Sequence, residues 1–96
     1  MYRKNLITDA AKVAKIGYYA TDEDGSKCTD NGKWNPITND ADCAQLEMIC
    51  KLDLDWKQDS VRSGGRLEFY SDHDGDKQAA RRLASTRAAA SLLCKC

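Results

Sequence analysis

Between Asp40 and Trp56 the hydrophobic pattern changes its period, and this change limits the folds open to the chain more than any other feature. In "DADCAQLEMICKL", Cys43, Leu46, Ile49 and Cys50 recur at helical spacing, with Ala44, Glu47, Met48 and Lys51 opposite. "LDLDWKQ" then alternates, with Leu52, Leu54 and Trp56 on one side and Asp53, Asp55 and Lys57 on the other. That is the period of a strand with one buried face. Upstream, Pro36 disfavours helix at Asn35, and Asn39 or Asp40 can cap the helix that follows.

The remaining segments extend the same reading. In "NLITDAAKVAKIG", Leu6, Ala10 and Val13 share a face opposite Lys4, Thr8, Lys12 and Lys15, and Gly17 is placed to end the helix. "YYAT" reads as a short strand and "DEDG" as a turn in which Gly25 takes a positive φ. Residues 26–33 read as a second strand or an irregular loop. "RLEFYS" alternates with Leu67 and Phe69 inward, and it pairs with "LDLDWKQ" as a hairpin across a flexible connection containing Ser63-Gly64-Gly65. A last helix runs from Lys77 to Leu93 with Ala79, Leu83, Thr86, Ala90 and Leu93 as its inner stripe. The expectation is one small α+β domain over residues 1–96: a short antiparallel sheet against two to three helices, in αβαββα order, with an α/β/α sandwich as its variant.

Size and charge bound what such a domain can do. Ninety-six residues support a single modest core. Lys plus Arg and Asp plus Glu are both 15, so no net field draws the chain to nucleic acid or an anionic membrane. No apolar run approaches the roughly 18 residues of a membrane span, and the first residues lack the apolar core of an export signal. The five cysteines are odd in number and unevenly spaced, which favours reduced thiols in a cytoplasm over a disulfide framework.

The candidate chemistry is sparse. Asp72, Asp74 and Asp76 alternate as in a calcium loop, but Gly75 falls at the fourth position and Leu83 at the twelfth, where that loop needs the sixth and a glutamate. Asp76 instead precedes "KQAARRLA" as an N-cap should; weak metal binding is the alternative. His73 reads as a solvated loop histidine rather than a general base. Cys94-Lys95-Cys96 reads as a terminal tail, with zinc as the lesser alternative for want of local ligand pairs. Arg81, Arg82 and Arg87 point in three directions at 100° per residue, which argues against a stripe tracking phosphates. No catalytic residue, metal or cofactor is expected.

One surface is nominated for binding. Asp53, Asp55 and Glu68 would share the hairpin face opposite Leu54, Trp56, Leu67 and Phe69, with Tyr70 nearby. Such an acidic face suits a basic protein surface; an ordinary solvated sheet face is the alternative.

The sequence also resembles a known group. "WNPITNDADCAQLEMICKL" and "DKQAARRLASTRAAASL" are similar to small uncharacterised proteins of tailed bacteriophages and prophages, of the phage α/β/α-sandwich type. Trp34, Asn35, Pro36, Thr38 and Asp42 carry the first element, and Ala80, Arg82, Ala84 and 87–90 the second. The resemblance implies a phage product working in the cytoplasm of an infected bacterium, and it transfers no catalytic residue. The expected function is a non-catalytic accessory protein that binds and modulates or inhibits a host protein, such as a component of antiviral defence. A small nucleic-acid-binding accessory protein is the alternative, followed by a small enzyme or ligand sponge. Monomer and dimer both remain open.

Overall fold

In the computed structural model, which describes residues 3–93, the elements run helix, three strands, helix, three strands, a 3-10 turn and helix. The α+β class holds; there are more strands than the alternation marks. The C-x-C pair of Cys94 and Cys96 lies outside the described residues.

Helix α1 (Arg3–Ala14) buries Leu6, Ile7, Ala10, Ala11 and Ala14, the recurring stripe of an amphipathic helix. It stops before Gly17 because Lys15 turns left-handed at φ 57°. The Lys15 and Ile16 N–H groups then donate to the Lys12 and Ala11 carbonyls at 3.2 and 2.9 Å. Helix α2 (Asp40–Cys50) closes the same way, with Lys51 at φ 55° and bonds from Lys51 to Met48 and from Leu52 to Glu47. A left-handed residue with a Cβ costs about 1 kcal/mol. Two recovered carbonyl bonds offset that cost, as does the return of Ile16 and Leu52 onto the main apolar cluster. At its other end α2 is capped by Asn39, whose side chain accepts the Asp42 N–H at 3.0 Å.

Strands β1 (Ala20–Thr21), β2 (Lys27–Thr29) and β3 (Gly32–Trp34) form one antiparallel sheet. The turn between β1 and β2 has Gly25 at φ 92°, as expected. The "WNP" turn after β3 is a hydrogen-bonded plug. Asn35 donates through its amide to Ser26 Oγ and accepts the Ile37 N–H, while the Trp34 indole donates to Gln45.

Strands β4 (Leu54–Trp56), β5 (Ser60–Ser63) and β6 (Arg66–Phe69) form the second sheet in that order. The expected two-stranded hairpin is therefore a meander, and the segment read as a loose connection contains its central strand. Val61 is the one large apolar residue of β5, so the strand carries no period-two signal. Gly64 and Gly65 are not a flexible link either. Their φ values of 54° and 91° make a tight two-residue hairpin turn.

Helix α3 (Lys77–Leu92) starts at the expected cap, with Asp76 accepting the Ala79 N–H at 3.0 Å. It is buried far more broadly than a single stripe, because it packs on α1 and α2 on one side and on β5 and β6 on the other. Ala80 meets Val61 and Tyr70, whereas Ala89 joins the cluster of Ile7, Trp34 and Leu46. The layering is thus helix pair, helix, sheet, with α3 rather than a sheet in the middle. The radius of gyration is 12.6 Å, close to the roughly 12.5 Å of a compact domain of this length.

Candidate interaction surface

The pairing register assigns the two faces of the second sheet. Trp56, Val61 and Glu68 stand opposite one another, as do Leu54, Ser63 and Arg66, so these side chains share one face. Val61, Ser63 and Glu68 are buried there, which makes it the face turned to α3. Asp55, Arg62 and Leu67 align on the other face, and Phe69 stands with them opposite Ser60.

This corrects half of the nominated acidic surface. β4 has the expected phase, with Asp55 turned outward, but β6 has the opposite one. Leu67 and Phe69 are 40% and 43% exposed, and Glu68 points inward at 6%. The inversion has an electrostatic cause. Arg87 of α3 donates to Glu68 Oε2 at 2.5 Å, and His73 Nε2 lies 2.9 Å from Oε1. A carboxylate with two such partners can be buried where an isolated one could not. His73, expected to be solvated, is held in this network with 8% of its side chain exposed. Tyr70 is also interior, its hydroxyl donating to the Lys57 carbonyl at 2.7 Å. Of the nominated residues, Asp53 and Asp55 stay at the surface, and Glu68 and Tyr70 do not.

What the sheet exposes instead is apolar. Leu54 and Trp56 belong to the inner face, yet they are 37% and 44% exposed, because α3 covers β5 and β6 and leaves β4 at the margin. Together with Leu67 and Phe69 they give a small sheet with half-open large side chains on both faces. Asp55 and Lys57, both more than half exposed, lie 3.3 Å apart beside them.

The other polar clusters are engaged within the fold. Arg81 grips Glu47 through two bonds of 3.0 and 2.6 Å, and Ser85 donates to the same carboxylate at 2.5 Å while contacting Ser63 at 2.8 Å. Cys43 donates to it from 3.5 Å, and burial, reinforced by the Glu47 charge, pushes that thiol up to about 12. Such a thiol is not a nucleophile at neutral pH. Sequence periodicity put Glu47 on the open face of α2, and its partner stands 34 residues away, so no local signal could have revealed the pair.

Arg82 bonds the Ile37 carbonyl and Asp40 at 2.6 and 2.7 Å. The helix arginines do not point in three separate directions: Arg81 and Arg82 converge on Asp40 Oδ1 from 3.9 and 2.7 Å, and Arg87 turns to Glu68, so each is engaged by acids of the fold. Lys27 is a further buried charge that the sequence did not announce. Its ammonium donates to Thr8 and Thr21 at 2.7 and 3.0 Å and sits 4.7 Å from the centre of the Tyr18 ring. Burial, then the nearby Lys12, lowers its pKa.

Asp72 lies in the 3-10 turn Tyr70–His73, Asp74 is left-handed at φ 55°, and Asp76 caps α3. These acids build a turn-to-helix junction. A cleft of about 250 Å³ opens between the end of α1, the β2–β3 hairpin and α2. Its Lys33 is ion-paired with Asp22, and its Trp34 is tied to Gln45. Among the described residues, no helix is long and apolar enough to cross a membrane. No family model matches the chain, and no curated protein or solved structure matches it either.

Proposed function

We propose that the chain is a non-catalytic phage accessory protein that binds a host protein through the β4–β6 sheet. The observation carrying this reading is the half-exposure of Leu54, Trp56, Leu67 and Phe69 on one three-stranded sheet. A domain with a modest core gains from burying large apolar groups, so leaving them open, Leu54 and Trp56 on one face and Leu67 and Phe69 on the other, suits a small sheet that a partner covers on both faces in use. The resemblance to phage proteins supplies the setting, and a component of antiviral defence is the partner class to test first. The alternatives draw less support. Arg81, Arg82 and Arg87, the basis for nucleic-acid binding, are all engaged by protein groups. His73 is occupied by Glu68.

Affinity capture from host lysate under reducing conditions tests the reading. The wild-type chain should retain a discrete host protein, and Trp56→Ser with Phe69→Ser should lose it while circular dichroism reports an unchanged fold. Equal retention by the folded double variant would contradict the proposal.

A further inference from the structure

The hydrogen-bond phase of β4 identifies what this sheet can accept. Gly64 donates its N–H to the Asp53 carbonyl at 3.1 Å, and Lys57 donates to the Ser60 carbonyl at 2.8 Å. In an antiparallel ladder the bonded residues alternate. Asp53, Asp55 and Lys57 therefore direct their backbone groups toward β5, and Leu54 and Trp56 direct theirs away from it. Among the described residues β4 pairs with β5 alone, so those outward N–H and C=O groups form an open edge.

The side chains along that edge follow the opposite rhythm. Asp53 and Asp55 lie on the outer face; Asp55 has Arg62 opposite it and Lys57 beside it, whereas Asp53 stands opposite Gly64, which offers no side chain across the ladder. Leu54 and Trp56 lie on the inner face, half-open beyond α3. The Asp55–Lys57 contact is well exposed on both sides, and a pair of that kind contributes little and exchanges readily.

An open edge with Asp53 lacking any side chain across the ladder on one face, and apolar groups on the other, favours one strand chemistry. Its match is an extended segment that alternates basic and apolar residues. From these features we infer that β4 is a strand-addition site, and that its occupant is an extended segment of a partner protein in which basic residues alternate with apolar ones. The inference rests on the proposed binding role of this sheet and names the partner's local structure. The main-chain bonds of Leu54 and Trp56 hold the added strand, Asp53 and Asp55 choose basic residues on one face, and Leu54 with Trp56 receives apolar ones on the other. β6, the opposite edge, is a poorer match for a basic strand because its outer face carries Leu67 and Phe69 and its one acid, Glu68, is buried.

The probe is an eight-residue synthetic peptide of alternating Lys and Val with blocked ends, titrated into the isotope-labelled full chain and followed by NMR. The amide resonances of Leu54 and Trp56 should shift first and become protected from solvent exchange. An alternating Glu and Val peptide should bind at least about tenfold more weakly, as should the Lys and Val peptide to Asp53→Lys with Asp55→Lys, since like charges then face each other across the strands. Methylating alternate peptide nitrogens, in the register that faces β4, should abolish the protection.

Undisturbed Leu54 and Trp56 amides at peptide saturation would overturn the inference, and so would equal binding of the Glu and Val peptide. These readouts need no host protein. A chain that binds the peptide yet captures nothing from lysate would therefore contradict the proposed function while leaving strand addition standing.

Discussion

At the scale of single residues, burial decides what each polar group can do. Cys43 has an ordinary thiol value of 9.0 that the fold raises to about 12. Between those values the unfolded chain has lost a proton that the folded chain keeps, so stability falls as pH rises, by at most about 1.4 kcal/mol per unit. Lys27 works in the opposite sense. Its folded value lies below 10.5, so just under that pH the unfolded chain holds more protons and stability rises with pH. Urea midpoints measured across the alkaline range should separate them, with Cys43→Val removing the fall and Lys27→Met removing the rise. Glu47 gives a sharper contrast. Glu47→Ala strands the Arg81 guanidinium in a mostly buried position, and loss of one partner of such a pair costs about 3 kcal/mol. Urea unfolding reads this directly; a loss within about 0.5 kcal/mol, typical of an open helix face, would contradict the network.

At the scale of elements, much of the fold was legible because it is encoded locally. Asn39 and Asp76 cap their helices as their positions suggest. Asp76→Ala should cost roughly 1 kcal/mol, visible as a lower melting temperature. The strands were harder to read. β5 has only Val61 to mark it, and β6 presents Leu67 and Phe69 to solvent because Arg87 and His73 hold Glu68 inside. Alternation shows that a strand has two faces, but it does not say which one a distant arginine will claim. The Gly64 turn has the same dependence on distant groups. A Cβ there would lie 2.8 Å from Leu52 Cδ2 and 3.1 Å from Ala88 Cβ, at a φ of 54°. Gly64→Ala should therefore destabilise by more than about 1 kcal/mol in denaturant unfolding, because α3 closes on the turn and the rigid Ala88 methyl cannot swing away.

At the scale of the whole molecule, α3 gathers the structure around itself and leaves β4 at the margin. Its arginines reach Glu47 on α2, Asp40 at the start of α2, and Glu68 on β6. Balanced charge, with 15 basic and 15 acidic residues, leaves recognition to local patterning rather than to a long-range field. That patterning is concentrated where the acids of β4, its open backbone edge and the half-buried Leu54 and Trp56 meet. The sequence already marked Asp53 and Asp55; the outward backbone groups depend on the β5 register and could not be read from it. Competition joins the binding role to this edge in a single measurement. A host protein captured on the immobilised chain is challenged with the alternating Lys and Val peptide, and with the Glu and Val peptide as control. If β4 is the binding edge, the basic peptide releases the host protein in proportion to its occupancy of the Leu54 and Trp56 amides, while the acidic one leaves it bound. A host protein that stays bound when those amides are fully occupied would contradict it.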